Sequence, residues 1–190
     1  MVIWGWGWRM NNLDRERIVS ALEELSRRLG KRGVRGEVCI FGGSAMILAF
    51  QSRQSTRDID AVFAPAAIVR QIAEEIGREN GYADGWFNDG VKGFVSERHE
   101  TTASGLPQFE YLQVTMPVPE YLFAMKCMAS RVGLEGGQDE ADARFLIKLI
   151  GLAGKDDAMR LVEAYYPANH VPPRVQYFIE SLFEQNNSIP

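Results

Sequence analysis

Two cysteines and two histidines in 190 residues leave little with which to build a disulfide framework or a zinc site. Cys39 and Cys127 fall among apolar neighbours in a predicted strand and a predicted helix, the setting of buried reduced thiols, which points to the cytoplasm. His99 and His170 have no cysteine, histidine or carboxylate at zinc spacing. No apolar run approaches the ~20 residues that cross a bilayer, and the first residues lack the charged-then-apolar order of a secretion signal, so neither a membrane partner nor export is expected. Nor is there an excess of positive charge. With 21 Lys and Arg against 25 Asp and Glu, the chain cannot draw its main affinity from a broad basic face against nucleic-acid phosphate, although a local patch remains open to it. Internal repeats and low-complexity linkers are absent too.

What remains is 46% apolar content, enough for one sizeable core with a helical extension. Trp4, Trp6 and Trp8 alternate with glycine near the start; Met10 reads as the effective beginning, with residues 1–9 an extension expected to be dispensable. From there Ile18, Leu22, Leu25 and Leu29 share one helical face, and Gly30 is expected to end that helix. "EVCIF" reads as a buried strand broken at Gly42-Gly43, with Ser44 placed to cap a helix carrying Met46, Ile47 and Phe50. "DIDAVF" is the next strand, whose period of two sets Asp58, Asp60 and Val62 on one face. Ile68, Val69, Ile72 and Ile76 mark a further helix, followed by a turn-rich stretch with short strand candidates around Trp86 and Phe94. "QFEYLQVTMP" returns to strand character, and from Glu120 onward the signals are helical throughout. The expectation is an α/β (α+β) chain: strands with flanking helices over residues 10–118, and a helical portion over 119–190 packed on the sheet.

Two carboxylates on one strand beside a glycine turn suit phosphoryl chemistry. Mg²⁺ prefers hard oxygen ligands and shares them with nucleotide phosphates. Gly42 and Gly43 would let backbone approach a triphosphate, while Ser44 and the following helix start offer donors to its oxygens. A second ion would need a third acid.

These residues resemble the DNA polymerase beta-like nucleotidyltransferases, whose pattern is Gly-Gly or Gly-Ser at a helix start and an Asp-x-Asp strand about a dozen residues later. "TRDIDAVF", "WFNDGVKGF", "PEYLFAMKCMASR" and "DEADARFL" together look like a bacterial branch related to abortive-infection and type IV toxin–antitoxin nucleotidyltransferases, a resemblance covering roughly Glu37 to Ile150. It implies a mixed sheet with helices, Mg²⁺-dependent transfer of a nucleoside monophosphate from an NTP, a tRNA or protein acceptor, and a possible cognate antitoxin. By the same resemblance Asp58 and Asp60 are the metal-binding catalytic pair, Gly42, Gly43 and Ser44 bind the triphosphate, Lys126 and Arg131 lie near the phosphates, and Asp142 matches an acidic helix position. The third catalytic carboxylate falls to Glu110, which alternation sets with Leu112 and Val114, with Glu97 as the other candidate, and Asn88 or Asp89 of "FNDG" are possible site residues.

Each feature has a plainer reading. Gly-Gly-Ser alone is a turn and a cap, Lys126 can snorkel from an amphipathic helix, Arg131 can complement a helix dipole, and "FNDG" can be a simple turn. Asp-x-Asp flanked by Ile59 and "AVF" is less easily dismissed, because carboxylates on a largely buried strand need a metal or cationic partner. Three readings follow: an enzyme; a catalytically degenerate fold that binds nucleotide or protein; and a tRNA-modifying toxin whose contact surface is the cluster Arg27, Arg28, Lys31, Arg32 and Arg35.

Overall fold

The computed structural model describes residues 12–130 and 137–184. The expectations for residues 1–9, including Trp4, Trp6 and Trp8, and for Arg131 lie outside the described residues. The chain divides into a sheet unit, residues 1–92 and 101–116, and a helical unit, residues 93–100 and 117–190.

The sheet unit opens with α1 (Arg15–Lys31), whose Asp14 side chain accepts the Arg17 N–H and so satisfies one orphan donor of the first turn. Ile18, Leu22, Leu25 and Leu29 are all buried, as their spacing predicts. Gly30 does not end the helix: a Cβ there would stand 2.5 Å from the Tyr111 ring, so glycine makes room for that ring instead. β1 (Gly36–Ile40) pairs antiparallel with β2 (Ile59–Ala64) and parallel with β5 (Leu112–Pro117). Two short strands, β3 (Phe87–Asn88) and β4 (Thr101–Thr102), complete a mixed sheet of order β3-β2-β1-β5-β4. The other long helix, α3 (Ala66–Asn80), packs against α1 and β2.

Val38, Ile40, Ile59, Ala61, Phe63, Leu112, Val114 and Met116 alternate onto the sheet's buried face. Full burial of each larger side chain there stabilises by about 1.5–3 kcal/mol relative to exposure. The intervening residues, Glu37, Cys39, Asp60, Val62, Gln113 and Thr115, carry the more open face. The fold class is therefore the mixed α+β architecture that the sequence led us to expect.

Between β1 and β2 the chain forms a four-residue helix, α2 (Gly42–Ala45), which widens into a π-turn over Met46–Phe50 and stops at Gln51, itself left-handed at φ 50°. Phe41, not Ser44, occupies the N-cap. The left-handed φ of 59° at Gly42 turns the chain into the helix before Ser44 is reached, and the buried Ser44 hydroxyl donates back to the Phe41 carbonyl. Phe94 lies in a 3-10 helix, Gly90–Phe94, and not in a strand.

In the helical unit α4 (Pro119–Ala129) packs against α5 (Gly137–Ile150), α6 (Lys155–Tyr165) and α7 (Pro173–Glu184). Tyr121 and Phe123 are fully buried on α4, and the Tyr121 ring stacks on Tyr165 with centroids 4.9 Å apart. Residues 93–100 belong here: the Ser96 N–H donates to the Tyr121 hydroxyl at 2.8 Å, its Oγ donates to the Tyr165 carbonyl, and the Tyr166 hydroxyl donates to the Phe94 carbonyl at 2.6 Å.

Candidate active site

The antiparallel register carries Asp60 to the end of β1, where the Phe41 N–H donates to the Asp60 carbonyl at 2.8 Å. That bond locks the glycine turn to the Asp-x-Asp segment. A Cβ on Gly42 would stand 3.0 Å from Asp60 Oδ2, so the carboxylate rests against backbone that only glycine leaves open. Asp58 immediately precedes β2, two residues along extended chain, and is half-buried. Burial pushes its carboxyl upward; the positive charges of Arg53 and Arg57 and a hydrogen bond from the Asn88 side chain oppose that rise. Asn88 is held at this point because β3 pairs in parallel with β2, setting it opposite Asp60, and its Oδ1 accepts the Gly90 N–H at 2.9 Å.

Two residues that sequence reasoning missed complete the turn. A Cβ on Gly43 would stand 2.7 Å from Arg53 Nη1 and 2.8 Å from Thr56 Oγ1. The backbone of Thr56 is fixed by a two-bond bridge with Leu13, at 2.7 and 2.9 Å, and Arg53 Nε donates to the Ser55 carbonyl at 3.1 Å. The available signal was an arginine in "RQSTRDID", only a few residues ahead of the carboxylates.

Glu110 is exposed in a bend before β5, beside Arg35 and Gly36 at the opposite end of β1. From Gly36 to Phe41 is five residues, about 16 Å at strand rise, so Glu110 cannot join Asp58 and Asp60. The alternation that grouped it with Leu112 and Val114 fails because the strand begins two residues later, at Leu112. On the open face β5 offers Gln113 and Thr115, neither an acid. Among the described residues no three His, Cys, Asp or Glu side chains come together as a metal cluster. Asp89 points to other partners: Arg70 at 2.9 Å and Lys92 at 2.6 Å hold its carboxyl down at about 2.

Lys126, Asp142 and Glu97 belong to the helical unit. Lys126 does not snorkel: only 7% exposed, its ammonium pairs with the buried Asp142 at 2.7 Å and with Asp139 at 3.2 Å. The arginine cluster of α1 is largely matched by acids. Arg27 and Arg28 share Glu24, Arg28 also meets Glu75 and Glu79, and Arg32 meets Glu75 at 3.1 Å. Arg35 donates to the Glu110 carbonyl and lies over the Tyr111 ring. Three of the five cations of that cluster, Arg27, Arg28 and Arg32, thus meet carboxylates, which leaves less unopposed charge there for nucleic-acid phosphate. Burial raises both the Cys39 and the Cys127 thiol above their ordinary value, the opposite of the shift that activates a cysteine.

A mixed sheet that sets a left-handed glycine turn against an Asp-x-Asp pair is the arrangement of a nucleotidyltransferase-type domain. In agreement, the model of the family described as "Nucleotidyltransferase of unknown function (DUF6036)" matches residues 16–134, more than half of the chain, and the protein belongs to that family. No curated protein and no solved structure matches it.

Proposed function

We propose that this chain transfers a nucleoside monophosphate from an NTP to a hydroxyl of a tRNA or protein acceptor, with Mg²⁺ held by Asp58 and Asp60. The observation that carries the reading is the contact of the Asp60 carboxylate with the left-handed Gly42 turn, beside Asp58. Two carboxylates are a hard-oxygen donor set that fits one Mg²⁺ sharing its remaining positions with phosphates. They do not fit a two-ion, three-acid site, since Glu110 stands at the far end of the strands. When bound, the ion supplies neutralisation of phosphate charge.

The chain's own residues do the rest. Gly42 and Gly43 admit phosphate oxygens close to backbone, and the Phe41–Asp60 hydrogen bond keeps that turn in register with the carboxylates. Asn88 orients Asp58. The acceptor oxygen forms a bond to the α-phosphorus, the bond from that phosphorus to the bridging oxygen breaks, pyrophosphate leaves, and the hydroxyl proton passes to solvent. Ser44 contributes to the turn's geometry through its bond to Phe41. The likeness of the motifs to the toxin–antitoxin branch supports a role within such a pair.

A second reading, a nucleotide- or protein-binding module without turnover, is favoured by one specific observation: among the described residues no third acid gathers with two others as a metal cluster, and Glu110 stands at the far end of β1 and β5. The experiment that separates the two is transfer of α-³²P label from each of the four NTPs, with Mg²⁺, to total tRNA and to cell-extract protein. Label that vanishes in Asp58→Asn and Asp60→Asn establishes the enzyme and its acceptor class. Absence of label with measurable NTP binding selects the binding module.

A further inference from the structure

We infer that Arg53 binds the departing pyrophosphate portion of the nucleotide, a role that rests on the NTP-dependent reading above and names a residue that reading does not include.

Position comes first. Arg53 sits in the loop that leads from the π-turn into β2, and its Nε is tied to the Ser55 carbonyl at 3.1 Å. The guanidinium then lies on the Gly43 backbone, with Nη1 2.7 Å and Cζ 3.0 Å from the place a Cβ would take. An arginine tip by itself can swing aside for a methyl group. The Thr56 hydroxyl, 2.8 Å from the same place on backbone fixed by the Leu13 bridge, cannot. Gly43 therefore keeps a surface on which backbone, hydroxyl and guanidinium meet, and Gly42, one residue earlier, keeps the surface on which Asp60 rests. The carboxylates mark the end where the α-phosphate reacts; Arg53 lies one residue further along the turn, where the phosphates beyond it follow.

Charge and shape fit this assignment. A triphosphate brought to Asp58 and Asp60 adds negative charge to two carboxylates, and among the described residues Arg53 and Arg57 are cations whose charge reaches Asp58. Arg57 is exposed, whereas Arg53 is partly buried and anchored through Nε. A planar, pre-anchored guanidinium presents a fork that matches phosphate oxygens and loses less freedom on binding than a loose lysine does. Thr56, with 8% exposure, supplies a neighbouring hydroxyl.

The test is calorimetry on the full chain with Mg²⁺, each of the four NTPs and the matching nucleoside monophosphates, using wild type, Arg53→Gln, Arg53→Lys and Arg57→Gln. Loss of a charge-assisted contact corresponds to roughly 10–100-fold in affinity. Arg53→Gln is expected to weaken the best-bound NTP by about that factor, to cut the preference for triphosphate over monophosphate by at least about fivefold, and to melt as wild type does. Arg57→Gln is expected to stay within about threefold of wild type. Unchanged NTP affinity in Arg53→Gln overturns the assignment, as does equal loss for triphosphate and monophosphate, the mark of a loop brace. Should Arg53→Gln fold poorly, Arg53→Lys carries the same decision: it keeps the charge and loses the fork, and a triphosphate-specific loss supports the role while no loss overturns it. Wild type that binds no NTP would sink this inference and the nucleotidyltransferase reading together. If label transfer depends on Asp58 and Asp60 while Arg53→Gln binds NTP normally, only Arg53 is removed.

Discussion

Gly42→Ala isolates the contact on which the proposed site depends. Two costs follow from the substitution. The first is backbone strain: φ is 59°, in the left-handed region that an L side chain enters at about 1–2 kcal/mol. The second is local: the new Cβ would stand 3.0 Å from Asp60 Oδ2. Relief to ordinary contact needs a shift of about 0.4 Å, twice the ~0.2 Å tolerance of metal–ligand distances. Gly33 supplies the control, with φ 65° and nothing within 4 Å of its Cβ position, so Gly33→Ala carries the strain without the contact. Both variants are expected to lose about 1–2 kcal/mol of stability, near 3–6 °C in Tm for a chain of this length. Only Gly42→Ala is expected to lose Mg²⁺-dependent NTP affinity, by roughly 10–100-fold, the range seen when a ligand is mispositioned. Differential scanning fluorimetry reads the first effect and calorimetry the second. Equal NTP affinity in the two variants would refute the argument, because it would leave the Gly42–Asp60 contact without consequence for the nucleotide.

Asp58→Asn should raise stability at neutral pH while abolishing transfer. Burial raises the carboxyl of Asp58 in the folded chain, so its contribution favours folding below the ordinary aspartate range and is lost as pH climbs through the raised value. The gain of the Asn variant in metal-free buffer should therefore grow from pH 4 to pH 7, and a gain independent of pH in melting curves would count against it. Lys126→Met removes an ammonium from the buried Asp142 and should cost about 3–5 kcal/mol in urea unfolding. Lys126→Met with Asp142→Leu should recover most of that, and a loss below about 1 kcal/mol in the single variant contradicts the buried-pair account. Glu110→Gln should leave label transfer within about twofold of wild type; a large loss would mean that the strand register does not separate it from the reaction.

Much of this architecture was legible because its signals are local. The spacing of Ile18, Leu22, Leu25 and Leu29 carries α1, and the alternation of Ile59, Ala61 and Phe63 carries the buried side of β2. The four helices of the second half announce themselves through apolar period and the prolines at Pro119 and Pro173. What escaped was set by contacts distant in sequence. Glu110 was grouped with Leu112 by alternation, but which end of a strand meets the Asp pair depends on the pairing of β5 with β1. The cap at Phe41 follows from the left-handed entry at Gly42, a choice open to glycine that nothing in its identity compels. Arg53 reaches Gly43 because its loop folds back ten residues and is pinned through Thr56 to Leu13. The α1 arginines looked like a patch until α3 brought Glu75 and Glu79 against them.

The chain crosses between its two units at residues 92–93, 100–101 and 116–117, and this has a consequence for synthesis on the ribosome. The last strand of the sheet is complete at Pro117, yet residues 93–100 have already been made and their partners in Tyr165 and Tyr166 have not. From Glu100 to Tyr166 is 66 residues, roughly 3–13 s of elongation at ~5–20 residues per second. For that interval the Phe94 carbonyl and the Ser96 hydroxyl lack the hydrogen bonds that hold them in the finished protein. A nascent chain halted between these points should be cut by protease at residues 93–100, and protection should arrive only once α6 has emerged.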